Sequence, residues 1–104
     1  MSVEGPLQIP TGRPNWSLIS HHGIVLFLLA RMPNATLKRL SFLTGFTERT
    51  LYEIVKDLAG ANMVIVTRVG RTKSYTLNRD AHFAHPLFSH VRIGTMLEVF
   101  ERPG

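Results

Sequence analysis

Cysteine is absent from all 104 residues, so the chain can form no disulfide and no thiolate metal site. Acidic residues are scarce. Seven Asp and Glu stand against twelve Lys and Arg, a formal net charge of +5. Such an excess favours polyanions, either nucleic acid or an acidic membrane surface. Long apolar runs are missing as well. The longest, Ile24 to Ala30, falls far short of the roughly 20 residues that span a bilayer. Glu4, Pro6, Pro10 and Pro14 interrupt the N-terminal stretch and leave no apolar core for a secretory signal. A soluble cytoplasmic protein is the expectation. The sequence also has no phosphate-binding loop, dinucleotide fingerprint, zinc-protease motif or nucleophile elbow, so an enzyme finds no support.

A chain of this length makes one domain with a modest core, and burial against a partner would help it. The positive charge is unevenly spread. From Arg31 to Arg79 there are nine basic and three acidic residues, a net of +6; the remainder carries three basic and four acidic, a net of −1.

The prolines and glycines of residues 1–16 describe an extended arm. Ser17 is the expected N-cap of a first helix that runs to about Arg31 and is apolar on every face, as a helix covered by several neighbours would be. Met32-Pro33-Asn34 ends it. A second helix follows from Thr36 to Leu43, with Leu37, Leu40 and Leu43 expected toward the core and Lys38 and Arg39 outward. Gly45 supplies a turn that needs positive φ.

The third helix has the clearest start. Thr47 fits the N-cap, Glu48 the first turn, and Phe46 with Leu51 a hydrophobic staple. Leu51, Ile54, Val55 and Leu58 make its buried stripe. Glu48, Arg49, Tyr52, Glu53, Lys56 and Asp57 are left exposed. Gly60 and Asn62 break the helix. Met63–Val69 reads as a strand, Gly70-Arg71-Thr72 as a turn, and Lys73–Leu77 as a second strand with Tyr75 and Leu77 on one face. Pro86 opens a last helix to about Glu101. Its apolar residues cover about half its circumference, which is wide for a terminal helix of a small monomer.

Residues 35–77 resemble the winged helix-turn-helix transcriptional regulators of the MarR and ArsR type. The resemblance rests on Ser41, Gly45, Leu51 and Ile54 in the helix-turn-helix, and on Arg68, Gly70-Arg71, Tyr75 and Leu77 in the wing. Serine at position 41 replaces the usual alanine, and Gly60-Ala61-Asn62-Met63 replaces the usual glycine just before the strand. The implied fold is mainly α with a small β-hairpin: a winged helix-turn-helix over 17–80, flanked by the arm at 1–16 and a connector with a C-terminal dimerisation helix over 81–104.

The resemblance implies a sequence-specific DNA-binding transcriptional regulator acting as a homodimer on palindromic double-stranded DNA. The third helix would enter the major groove, and the basic wing would lie on backbone or minor groove. The expected DNA contacts are Thr36, Lys38, Thr47, Glu48, Arg49, Thr50, Tyr52, Glu53, Lys56, Arg68, Arg71 and Lys73. Arginine can fork to guanine and glutamate can accept from cytosine N4. The plainer readings are a solvated helix face with a Glu53–Lys56 charge pair, and basic residues that blunt an edge strand. The expected dimer interface is Leu26, Phe27, Phe88, Ile93, Met96, Leu97 and Phe100. No cofactor and no metal site is expected; His82 and His85 are spaced to share a metal only if helical, and otherwise belong to a polar connector. The alternatives are a winged-helix docking module for another protein and a switch that answers to a small molecule or metal.

Overall fold

The computed structural model describes residues 16–102. The chain is mixed α/β. Its elements run α1 (His21–Arg31), α2 (Leu37–Thr44), α3 (Glu48–Gly60), β1 (Val64–Val69), β2 (Thr72–Leu77), a single 3₁₀ turn at Pro86–Phe88, and α4 (Ile93–Glu101). This order is compatible with the expected fold. The arm at 1–16 lies, apart from Trp16, outside the described residues.

Ser20, not Ser17, caps α1: its hydroxyl accepts from the Gly23 amide at 3.1 Å. Ser17 closes its own local turn instead, donating to the Ile19 carbonyl and accepting from the Ile19 amide. Pro33 blocks continuation of α1. Its carbonyl is then used across the fold, accepting from the Tyr75 amide at 2.9 Å. The link between α1 and α2 is thereby tied to the edge of β2.

The turn between α2 and α3 follows the local chemistry closely. Thr36 caps α2 by accepting from the Arg39 amide at 3.0 Å. Gly45 sits at φ 81° and donates to the Ser41 carbonyl, while the Ser41 hydroxyl donates to the Phe46 carbonyl. Thr47 caps α3 by accepting from the Thr50 amide at 3.0 Å. Each such cap is worth about 1 kcal/mol, so the angle between the two helices is held at several points. Phe46 is half-buried against the core that holds fully buried Leu51. Leu40 is fully buried, but Leu43 is 44% exposed and does not face the core as expected. The short α2 meets the core centrally, at Leu40, and Leu43 falls in its last turn, beyond that point of contact.

α3 ends where expected, at Gly60, with Ala61 at its C-cap; Asn62 at φ 63° supplies the left-handed residue, and the Met63 amide donates to the Leu58 carbonyl. The hairpin pairs Val69 with Thr72, so the turn is Gly70-Arg71 alone and Thr72 belongs to β2. Gly70 takes φ 63°, as the first residue of a tight hairpin turn must.

The single long helix expected from Pro86 is not formed. Pro86–Phe88 makes one 3₁₀ turn, and α4 begins only at Ile93. The intervening backbone is committed elsewhere: His82 bridges Arg92, and the Phe83 amide donates to the Val91 carbonyl.

One core joins these pieces. Val25, Leu26 and Leu29 of α1 meet Leu40, the α3 stripe of Leu51, Ile54, Val55 and Leu58, then Val64, Tyr75 and Ile93. Leu97 of α4 is fully buried as well. Leu26, Ile93 and Leu97, expected at a dimer interface, are thus buried within the chain itself and have no free area to offer a partner. Each contributes about 1.5–3 kcal/mol to this chain's own fold. Among the described residues no helix is long and apolar enough to cross a membrane.

Candidate nucleic-acid interface

The buried stripe of α3 fixes which face is left outside. Leu51, Ile54, Val55 and Leu58 point inward, so Arg49, Tyr52, Glu53 and Lys56 line up on the opposite side at intervals of three and four. All four are exposed, as are Thr47, Glu48 and Thr50 at the helix start. Thr36 and Lys38 stand exposed at the start of α2.

The hairpin is drawn against this face. A cleft of about 170 Å³ between α3 and the strands is lined by Tyr52, Val55 and Lys56 on one side and by Val66, Lys73 and Tyr75 on the other. A second cleft of about 240 Å³ is lined by Asn34 and Thr36 together with Arg71, Lys73 and Tyr75. Lys73 and Tyr75 belong to both. Thr36, Tyr52, Lys56, Arg71 and Lys73 therefore share one surface, although four separate elements supply them. Tyr75 anchors it from below, and burial raises the pKa of its phenol.

The register places Arg68 directly opposite Lys73. Directly opposed residues share a sheet face, so two cations stand side by side, an arrangement that costs stability unless an anion intervenes. The distribution of ion pairs sharpens this. Among the described residues the ion pairs are His22–Asp57, Arg79–Glu101 and Arg92–Asp80. Outside the surface, Arg79 and Arg92 are paired with carboxylates, whereas Arg31, Arg39 and Arg102 have none among the described residues. Its own cations, Lys38, Arg49, Lys56, Arg68, Arg71 and Lys73, take no carboxylate partner among the described residues. The Glu53–Lys56 pair considered from the sequence is not formed. Glu101 holds Arg79 through two hydrogen bonds of 2.8 and 3.2 Å. That bond raises the arginine's pKa and lowers the carboxyl's.

His82 and His85 do not come together as ligands. His82 bonds the Ser89 carbonyl through Nδ1, and His85 accepts from the Leu87 amide. Among the described residues no three His, Asp or Glu gather as a metal would require. Of the remaining residues expected at a dimer interface, Phe27 and Met96 are half-buried, while Phe88 and Phe100 are exposed. Phe27, Met96 and Phe100 line an apolar groove of about 580 Å³ together with Ile19, Ile24 and Leu43. Sequence reasoning missed this groove and the exposure of Trp16, Leu18 and Phe42. A helical projection of α2 carries part of the signal, since Phe42 falls off the stripe set by Leu37 and Leu40.

No protein-family model matches the chain, and neither does any curated protein or any solved structure.

Proposed function

We propose that the chain is a sequence-specific DNA-binding transcriptional regulator with a winged helix-turn-helix fold, acting as a homodimer. The observation that carries this reading is the grouping of cations on one face. Among the described residues, Arg49 and Lys56 of α3 and Arg68, Arg71 and Lys73 of the hairpin have no carboxylate partner, and Lys56, Arg71 and Lys73 line adjoining clefts with Arg68 opposite Lys73. Unneutralised cations grouped on one face are the footprint of a polyanion.

In this reading α3 enters the major groove. Arg49, in its first turn, forks to the O6 and N7 of a guanine, and Glu53 accepts from a cytosine N4. Lys56 and the Thr36–Lys38 start of α2 meet phosphates, and the opposed Arg68 and Lys73 take phosphate between them with Arg71 at the turn. Fixed caps at Thr36 and Thr47 keep α3 at one angle to its support. Two reader heads related by a two-fold axis then match a palindromic site.

Selection of bound duplexes from a random pool, repeated at low and moderate salt, tests the proposal. Enrichment of one inverted-repeat motif is expected, with affinity falling steeply as salt rises. A pool that stays random, or binding indifferent to salt, refutes it.

A further inference from the structure

Resting on the DNA-reading proposal above, we infer that Tyr52 is a specificity residue whose ring packs on a pyrimidine C5-methyl group in the major groove, so that the preferred site carries a thymine close to the guanine read by Arg49. The outward strip of α3 offers Arg49, Tyr52, Glu53 and Lys56. Arg49, Glu53 and Lys56 are charged and suit hydrogen-bonding partners. Tyr52 alone presents a ring, and it is 50% exposed. Among the bases, thymine alone puts an apolar group at the major-groove edge, its C5-methyl. The one apolar reader on the strip thus has one apolar target.

The surroundings of Tyr52 hold its ring in place. It lines the cleft between α3 and the hairpin together with Val66, Lys73 and Tyr75 of the strands. Tyr75 is only 4% exposed and Val66 40%. Tyr52 therefore has apolar support from both strands while half of it stays open. A tyrosine also has few torsions to order on contact, so a supported ring loses little entropy when it packs on a base.

Position along the helix sets the register. Arg49 lies three residues before Tyr52 and Lys56 four after, so the three are neighbours on the helix surface. Three residues advance a helix by about 4.5 Å. Successive nucleotides of one strand advance by about 3.4 Å. The thymine therefore falls within about two base pairs of the guanine. A phenol has a rival use, donation from its hydroxyl to a phosphate. The same cleft already supplies two cations for that task, Lys56 and Lys73. No other side chain on the strip offers an apolar end to a methyl.

The test uses the inverted-repeat duplex enriched from the random pool, with the guanine located as the position where Arg49→Ala relaxes selectivity. Each thymine of the half-site is replaced in turn by deoxyuridine, which removes the methyl and keeps the hydrogen-bonding edge. Competition anisotropy reads the affinities. The native chain should lose about fourfold per half-site at one thymine near that guanine, the worth of burying a single methyl group. Tyr52→Ala should bind the thymine and uracil duplexes equally, and Tyr52→Phe should keep the fourfold ratio. Both change an exposed side chain, so the fold should stand, as circular dichroism would verify. Placing 5-methylcytosine and then cytosine at the same position separates the methyl from the rest of thymine, and the same ratio is expected. A motif without a thymine near that guanine overturns the inference, as does uracil tolerated at every position or 5-methylcytosine bound no tighter than cytosine. A Tyr52→Ala chain that still prefers thymine overturns it too, and so does a Tyr52→Phe chain that has lost the preference, which would assign the hydroxyl to phosphate. All of these outcomes leave the regulator standing, because a motif was enriched. A pool that stays random refutes the regulator itself, and this inference falls with it.

Discussion

Replacing Arg71 and Lys73 together with glutamine removes two cations from the hairpin without removing their reach. Lys73 is half-buried, its stem lying in both clefts beside Tyr75, so glutamine rather than alanine keeps part of that packing. The change also relieves the repulsion between Lys73 and Arg68 opposite it. The variant should therefore melt no lower than the native chain. Its DNA binding should behave differently. Each phosphate that is no longer neutralised reduces the slope of log affinity against log salt by about 0.9, so two phosphates per protomer reduce it by about 1.8. Between about 50 and 200 mM salt the native protomer should lose about tenfold more affinity than the variant, on a half-site and on random duplex alike. Anisotropy titrations at several salt concentrations give both slopes. Parallel lines would refute the phosphate assignment and leave these residues as protection for an edge strand.

Arg49→Ala should cost about 1–3 kcal/mol on the preferred duplex and relax selectivity at one base pair; competition binding showing equal loss on random DNA would remove Arg49 from base reading. Leu51→Ala should destabilise the chain by about 2–5 kcal/mol in urea denaturation, because the side chain is fully buried where α3 meets the core. Gly94→Ala should cost about 1–3 kcal/mol by the same measurement, since a Cβ there would lie 2.7 Å from the Arg79 carbonyl oxygen and 2.9 Å from its Cβ. The hydrogen bonds from Arg79 lower the Glu101 pKa, so this carboxylate's contribution is complete above its unfolded value of about 4.3 and is lost as pH falls toward the folded one. Hydrogen-exchange protection at the end of α4, measured relative to the intrinsic exchange rate at each pH, should fall through that acidic window, and Glu101→Gln should remove that fall.

The parts of the fold that are legible in the sequence are those decided by neighbours along the chain. Gly45, Phe46, Thr47 and Leu51 act within a few residues of one another, so the turn and the start of α3 can be read from side-chain type alone. Elements decided by distant contacts are not legible. Proline at position 86 permits either an α-helix or a 3₁₀ turn, and the bridge between His82 and Arg92 makes the choice. The last helix does carry a wide apolar face. Pattern alone, however, does not tell whether Ile93 and Leu97 are covered by α1 of the same chain or by a partner. The candidate site shows the same division. The outward face of α3 follows from periodicity, whereas the opposition of Arg68 to Lys73 depends on whether two or three residues form the turn. Placing Thr72 in that turn hides it.

The backbone bonds at the start of α4 couple two regions that otherwise look independent. The Ile93 and Gly94 amides donate to the carbonyls of Ala81 and Arg79, just past the end of β2 at Leu77. The first turn of α4 and the root of the hairpin are therefore one stiff joint, closed so tightly that only glycine fits at position 94. A few residues further along α4, Met96 and Phe100 wall the apolar groove. The groove wall and the root of the hairpin are thus joined through one short run of backbone bonds at Arg79 and Ala81.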